Sequence, residues 1–458
     1  VDAVADTHGM VGDALQGQLL AEAQGATSAA IHAPSSGTVS AIGEITAPHP
    51  SGLPVMAVTI ETDGEDRWLE AETLVDPSAL EPDDIARRIA AAGIVGLGGA
   101  TFPSALKLTL GKRSAITTLI MNGGECEPYL SCDDRLMRDS APEIVAGIEL
   151  MLKATGASQA LVGIEDNKPE AIAAMEKAAA GHGAIQVRPV PARYPMGSEK
   201  QLFTALTGKE VPADGRTTDL GALVHNVGTA WAVHQAVYLG RPLVERIVTV
   251  NGAAAAKPGN YRVPIGTLVS HLLGHVGLVG TPARLVMGGP MMGSLLPTQA
   301  VPVVKGTSGI LALTGAEAAA TEPGDCIRCS TCVRACPIGL LPLEMAGRIR
   351  SGDHAAAVDL GLKDCIACGC CTYVCPSRIP LVQYFNHAKG ELAAQDRAKL
   401  RQDATKRLVA ARAERLEREA KEKAEANARR KAERAAQKAA EAAAAAAAGN
   451  ATATEADA

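Results

Sequence analysis

Aromatic side chains are scarce: three Phe, six Tyr and two Trp make up 2% of 458 residues, although 47% are hydrophobic. The cores must therefore be built from Ala, Val and Leu, which fill space by number rather than size. No run reaches 18 consecutive apolar residues, and no basic stretch leading into an apolar one opens the sequence. Neither a spanning helix nor a secretion signal is expected, and the chain reads as cytosolic. Positive charge is lacking too. The net charge is −6, and residues 389–441 alone hold 16 Lys+Arg against 10 Asp+Glu, so the remainder is acidic. That balance leaves no basic footprint for nucleic acid in the folded part. Cysteine is nearly absent outside one region, since nine of eleven lie between Cys326 and Cys375. Disulfide frameworks belong to small secreted domains in oxidising compartments, and neither condition fits, so the clustering points to metal.

What is present reads as a multidomain α/β chain, because this length exceeds what one core supports at about 150 residues per domain. Residues 11–62 alternate short β-type runs with glycine turns, among them Ala33-Pro34-Ser35-Ser36-Gly37. This resembles the biotinyl/lipoyl-type barrel sandwich, expected over 1–78. The hairpin Ala26-Thr27-Ser28-Ala29-Ala30-Ile31 has no lysine, so a structural domain is expected rather than a swinging arm. From 79 to 242 helix and strand patterns alternate, with helices at Asp83–Ala92, Ala141–Thr155 and Pro169–Ala180 and strands at Ala115–Met121, Ala160–Ile164 and Ile185–Val190. Such alternation implies a largely parallel sheet covered by helices. Residues 243–318 shorten into Val244–Val250, an amphipathic helix near 266–273 and Arg284–Met287, the order of a small β-grasp (SLBB-like) domain. A cysteine module follows at 319–386. Beyond it, 387–458 form an Ala/Lys/Glu/Arg-rich helical tail with charge pairs Glu414–Arg418, Glu417–Lys421 and Glu425–Arg429. Its apolar anchors Leu392, Leu400, Leu408 and Leu416 are too sparse for a coiled coil. A solvated helix is the plain reading of this tail; docking to a partner or an anionic membrane surface is the other.

The cysteines fall into two matching runs. Cys326-x2-Cys329-x2-Cys332-x3-Cys336-Pro337 is repeated as Cys365-x2-Cys368-x2-Cys371-x3-Cys375-Pro376. In ferredoxin-type runs of this spacing the first three thiolates wrap one [4Fe–4S] cube and the fourth reaches the other cube. The expected ligand sets are Cys326, Cys329, Cys332 with Cys375, and Cys365, Cys368, Cys371 with Cys336. Two clusters imply electron transfer in an α-helical dicluster ferredoxin domain. Zinc also takes four thiolates, but its sites pair two short hooks at longer separation. Cys370 reads as a bystander able to compete for a corner, and Cys126 and Cys132 as buried structural thiols.

Upstream, Gly93-Ile94-Val95-Gly96-Leu97-Gly98-Gly99-Ala100-Thr101-Phe102-Pro103 precedes Lys107, and Met121-Asn122-Gly123-Gly124-Glu125-Cys126-Glu127 follows a strand. Glycine density alone marks a close backbone approach or a tight turn. On these residues, together with Tyr194–Lys200 and His225-Asn226-Val227-Gly228-Thr229, the chain resembles the flavin subunit of respiratory complex I. It resembles more closely the C subunits of Rnf (Rsx) electron transport complexes. The resemblance implies a non-covalent FMN along Gly96, Gly98, Gly99, Ala100 and Phe102, with NADH above it. It also implies Lys107 near phosphate, Asn122, Glu125 and Glu127 lining the pocket, and Glu199, Asn226 and Thr229 in the turns beside it. Three departures accompany it: Gly124 stands where that flavin subunit has aspartate, Ser198 where it has a glutamate, and the arginine of its glycine loop is absent. The implied protein is a peripheral oxidoreductase subunit on the cytoplasmic face of the bacterial inner membrane. Its partners would be other subunits of an ion-translocating complex and ferredoxin-like carriers, on a route linking NADH and ferredoxin. Two other functions stay open: a relay and docking subunit that does not oxidise NADH, and a soluble flavin and iron–sulfur reductase such as a cobalamin reductase.

Overall fold

A computed structural model describes residues 12–25, 27–71, 76–212, 215–318 and 322–453. Residues 1–11, 26 and 72–75 of the expected sandwich, 213–214 of the expected α/β domain, 319–321 of the expected cysteine module and the last five residues of the expected tail lie outside the described residues. The chain divides into two units, Val1–Phe385 and Asn386–Ala458.

In the first unit, β1 (Asp13–Ala14), β4 (Gly37–Thr46) and β5 (Pro54–Thr62) form an antiparallel sheet, and β2 (Leu19–Ala21) pairs with β3 (Ile31–His32). Ala14, Leu20, Ala33 and Val39 fill the space between them. Next come α1 (Pro82–Ala91), α2 (Ser104–Arg113), β6 (Thr118–Gly123), α3 (Cys132–Asp139), α4 (Ala141–Thr155) and β7 (Gln159–Glu165). They are followed by α5 (Pro169–Ala179), β8 (Ile185–Val190), α6 (Glu199–Thr207), β9 (Ala222–Asn226) and α7 (Val227–Tyr238). The sheet runs β8-β7-β6-β9 and all its pairings are parallel. Strands covered on both faces need near-continuous apolar runs, and Leu119-Ile120-Met121 supplies one, each residue 0% exposed.

A third module has a five-stranded mixed sheet, ordered β11-β10-β14-β12-β13. Its strands are β10 (Glu245–Asn251), β11 (Gly259–Pro264), β12 (Arg284–Met287), β13 (Ser294–Leu295) and β14 (Gly309–Leu313), with α8 (Val269–Val276) between β11 and β12. The cysteine region holds α9 (Thr331–Arg334), α10 (Pro342–Arg350), α11 (His354–Asp359) and α12 (Cys370–Tyr373). The described residues of the second unit, 386–453, are helical, as part of α13 (Leu381–Ala453). Leu400, Leu408 and Leu416 are exposed on it; an eight-residue step turns about 80° at 3.6 residues per turn, so they form no common stripe. Ion pairs there include Arg415–Glu419 at 3.8 Å and Arg429–Glu433 at 3.1 Å, with arginine preceding glutamate, the reverse of the sense expected.

α4 carries the largest share of the central core. Ile144, Val145, Ile148, Met151 and Leu152 recur at helical spacing and are buried, and the helix ends on Gly156 at φ +73°, whose N–H bonds the Leu152 carbonyl. It lies against α7, and the closest approach is at Gly147, where a Cβ would overlap the Ala230 carbonyl. Gly147→Ala should therefore lower stability. Overpacking of about 1–3 kcal/mol outweighs the roughly 1 kcal/mol of helix propensity that Ala gains. Gly274→Ala in α8, where nothing lies within 4 Å of the added carbon, should raise it. Thermal melts of the two variants should move in opposite directions; a Gly147→Ala variant that melts no lower than the parent would contradict the α4–α7 contact.

Candidate functional site

The order β8-β7-β6-β9 places β6 beside β9, so that the carboxyl ends of these two parallel strands lie next to each other. Open parallel α/β sheets hold ligands in a crevice outside the carboxyl ends of their strands. β6 ends there with Asn122 and Gly123, and β9 with Asn226. Asn226 caps α7: its Oδ1 accepts the Gly228 N–H at 2.8 Å and its Nδ2 donates to Asp133 Oδ2 at 2.7 Å. Asn122 donates to the Gly197 carbonyl at 2.8 Å and accepts the Gly124 N–H at 2.9 Å, joining the loop after β6 to the turn before α6. Thr229, fully buried, accepts the Leu97 N–H at 3.0 Å and so ties the glycine loop to α7.

That loop closes on itself through Gly96 N–H to the Phe102 carbonyl at 2.8 Å. Gly98 packs on Asn226, where a Cβ would meet the Asn226 Cβ at 3.4 Å. Gly99, at φ +101°, has nothing within 4 Å of its Cβ position; Ala100 is exposed and Phe102 is 39% exposed. An exposed, side-chain-poor backbone thus borders the crevice. Lys107 on α2 donates to the Val224 carbonyl at 2.5 Å and lies 3.4 Å from Glu199, whose other oxygen accepts from Thr217 at 2.6 Å. Next to Val224, His225 is buried with its Nε2 unpartnered, and burial together with the Lys107 charge holds its pKa well below the usual value.

Two of the expected pocket residues are engaged elsewhere. Glu125 caps α3, accepting the N–H groups of Asp133 at 3.0 Å and Asp134 at 3.2 Å, and pairs with Lys168 at 3.4 Å. Glu127 accepts the N–H groups of Met291 at 3.0 Å and Met292 at 2.8 Å in the third module. Burial raises its pKa although both bonds oppose the rise. Reasoning from sequence missed Asp133, the partner of Asn226, whose carboxyl is lifted to about 7 by burial and then by the Glu125 charge. It also missed Arg246, 4% exposed, which donates to the Leu97 carbonyl at 3.3 Å behind the glycine loop. An arginine in an apolar strand gives no signal of its direction, whereas an acidic pair such as Asp133-Asp134 is a signal of a helix start.

The thiols gather around two cavities. Cys326, Cys329, Cys332 and Cys375 line one, with Leu343, Ile379 and Leu381. Cys336, Cys365, Cys368 and Cys371 line the other, with Cys370, Met345, Val382 and Phe385. In each, the fourth cysteine comes from the other run. Among the described residues no three His, Cys, Asp or Glu side chains close on a point as single-ion ligands do. The two loops share one backbone: left-handed φ recurs at Arg328 and Ala367, at Ser330 and Gly369, and at Gly339 and Arg378. The Arg328 and Ala367 N–H groups each reach the first sulfur of their run, Cys326 and Cys365, at 3.4 Å. Burial pushes the Cys371 thiol up to about 12, so binding metal must displace its proton.

Comparison with known proteins gives four matches along the chain. Residues 6–65 match the RnfC barrel sandwich hybrid domain, 89–235 the Nuo51 FMN-binding domain, 247–294 the SLBB domain and 325–379 the 4Fe-4S dicluster domain. The chain is 54% identical to the C subunit of the ion-translocating oxidoreductase complex of Rhodobacter capsulatus, covering 84% of this chain and 75% of that one. The C subunits of the same complex from Erwinia tasmaniensis and Pseudomonas aeruginosa are 49% and 47% identical over 85% and 88% of this chain, which spans 48% and 52% of theirs. A chain in the crystal structure of NAD+-reducing [NiFe]-hydrogenase in the H2-reduced state is similar at TM-score 0.49 and 22% identity, over 70% of this chain and 62% of that one.

Asn226→Ala removes the α7 cap and the donor to Asp133 together, and should cost about 1–2 kcal/mol in urea unfolding. Asn226→Asp keeps the cap but sets a second carboxylate against Asp133. If that carboxylate is the cause, its deficit should shrink as pH falls below about 7, the Asp133 value. A pH-independent deficit would remove Asp133 from the account.

Proposed function

The chain belongs to the family of ion-translocating oxidoreductase complex C subunits, and on that premise we propose that it is the peripheral electron-transfer subunit of such a complex. In this reading it joins NADH, through non-covalent FMN in the β6–β9 crevice, to two [4Fe–4S] clusters on a route toward a ferredoxin-type carrier. The observation that carries the reading is the pair of cavities, each lined by three thiols of one run and the fourth thiol of the other, with Cys370 as a fifth in one of them. That donor set suits iron–sulfur cubes, whose potentials are tuned by N–H···S bonds of the kind made by Arg328 and Ala367. In this reading the exposed backbone at Gly98–Ala100 admits a flat ring, and Lys107, bonded to the Val224 carbonyl and paired with Glu199, would turn to the phosphate. When bound, the flavin exchanges electron pairs with nicotinamide and single electrons with the clusters.

The chain's own residues supply position and environment. Thr229 and Asn226 fix the glycine loop on α7, and Asn122 fixes the turn before α6, so the crevice is pre-formed. Met345, Val382 and Phe385 wall the Cys365 cavity with apolar atoms, which keeps water from the thiolates. Among the described residues no helix is long and apolar enough to cross a membrane; in this reading, other subunits bring the chain to the cytoplasmic face of the membrane. A second reading, relay without NADH oxidation, is favoured by one observation: Glu125 and Glu127 are both committed to backbone N–H groups.

Anaerobic purification should yield about eight irons per chain with one FMN, and NADH should bleach the flavin. Flavin that NADH leaves oxidised would sink the first reading in favour of the relay. The crossed pairing separates in EPR spectra: Cys336→Ala should disturb chiefly the cluster of the Cys365 run, and Cys375→Ala that of the Cys326 run. The opposite pattern would mean that each run completes its own cube.

A further inference from the structure

The turn before α6 and the Cys365 loop meet directly. The Tyr194 hydroxyl donates to the Cys368 carbonyl oxygen at 2.6 Å, across 174 positions of sequence. Two further contacts close the junction. The Gly197 N–H donates to Cys126 Sγ at 3.2 Å, fixing the turn that carries Tyr194 to the loop after β6. Met291, held by Glu127, sets its carbonyl against Gly369, where a Cβ would come within 3.0 Å. The two cavities differ in surroundings as well: Cys368 and Cys371 are 7% and 8% exposed, while Cys326 and Cys329 are exposed. The Cys365 cavity is thus the one that the flavin-type module touches.

We propose that Tyr194 is a positioning residue for electron transfer, its hydroxyl holding the Cys368 loop at a fixed distance from the crevice and raising the reduction potential of the cluster bound there. The inference rests on the function proposed above. A ligand carbonyl turns the negative end of its dipole toward its surroundings, and a donated O–H offsets that potential in a site where few waters can. Without the donor, an added electron is held less well. No bond is made or broken at Tyr194, whose proton stays on the phenol oxygen. One electron leaves the reduced flavin and one is gained at the cluster.

The test is a redox titration of the whole chain, purified anaerobically, followed by EPR with iron and flavin contents measured alongside. Tyr194→Phe removes one oxygen and keeps the ring. The cluster of the Cys365 run should become harder to reduce, shifting its equilibrium with the Cys326 cluster several-fold, where tenfold corresponds to 59 mV for one electron. The Cys326 cluster should not move and serves as the internal reference. Tyr194→Trp, which keeps a ring N–H donor, should recover part of the shift. Unchanged potentials in the Phe variant, or equal shifts of both clusters, would overturn the proposal while leaving the function intact. Loss of four irons from that variant would make Tyr194 an assembly element and also overturn it. A wild-type chain without two EPR-active clusters would overturn the function itself, and the inference with it.

Discussion

Each thiol cavity takes the first three cysteines of one run and the fourth of the other, with Cys370 added in one of them, so neither loop lines its cavity without its counterpart. This exchange dictates the local backbone. Three thiols at three-residue spacing can face one cavity only if the chain reverses sharply between them, and it does so through left-handed residues at matching places in both runs. Arg328, Ser330, Ala367 and Arg378 adopt that conformation without being glycine, at a cost of roughly 1–2 kcal/mol each. The strain has a consequence: the Arg328 and Ala367 N–H groups then point at the first sulfur of each run. Backbone donors aimed at sulfur are the means by which a protein stabilises charge on such thiolates.

The upstream modules obey a different constraint, the close approach of backbones around buried cations. Lys305, 9% exposed, donates to the Ala30 and Gly93 carbonyls at 2.6 Å each, and so joins the sandwich, the glycine loop and the third module at one ammonium. Burial lowers its pKa to about 8, yet it stays largely charged near neutrality, as a donor to two carbonyls must. Gly93 is required there twice over: its φ is +64°, and a Cβ would overlap the Ala30 carbonyl. Arg246 extends the weld by donating to the carbonyls of Lys305 and Leu97. The loop that borders the crevice is therefore anchored from behind by another module, which leaves its Gly98–Ala100 face exposed.

Much of this fold was legible where apolar runs were long. Helix Ala141–Thr155 and strands Ile185–Val190 and Arg284–Met287 lie where the pattern places them. The strand expected at 115–121 begins instead at Thr118, because Ala115 is left-handed at φ +49°. The helix expected near 266–273 is Val269–Val276. α2 and α3 escape the pattern: Ser104–Arg113 mixes Lys and Gly with its leucines, and Cys132–Asp139 is mostly charged, so neither shows a helical apolar period. The repeated cysteine spacing was legible because it is a local property of each run. Contacts such as Asn226–Asp133 and Tyr194–Cys368 were not, since they span 93 and 174 residues and depend on packing that no local pattern encodes. The first glycine of the loop signals close approach, and the approach is real, but what comes close to Gly93 is the sandwich module.

The acidic residues after β6 show how one sequence motif can be reassigned by its surroundings. Glu125 is not free to turn toward a ligand. Its carboxylate satisfies two N–H groups that open α3 and neutralises Lys168, whose side chain is 11% exposed. Breaking a buried pair by removing one partner typically costs about 3–5 kcal/mol, more than one new hydrogen bond to a ligand contributes. Glu127 is committed in the same way to Met291 and Met292, whose loop in turn packs on Gly369 beside Cys368. With Gly124 offering no side chain between them, both carboxylates of this segment are held by backbone N–H groups. What the crevice leaves open is the loop backbone at Gly98–Ala100, since the Lys107 ammonium is itself taken by the Val224 carbonyl and Glu199. Glu127 joins this segment to the thiol module, and through Cys126 and Glu127 the segment holds both sides of the junction that Tyr194 closes.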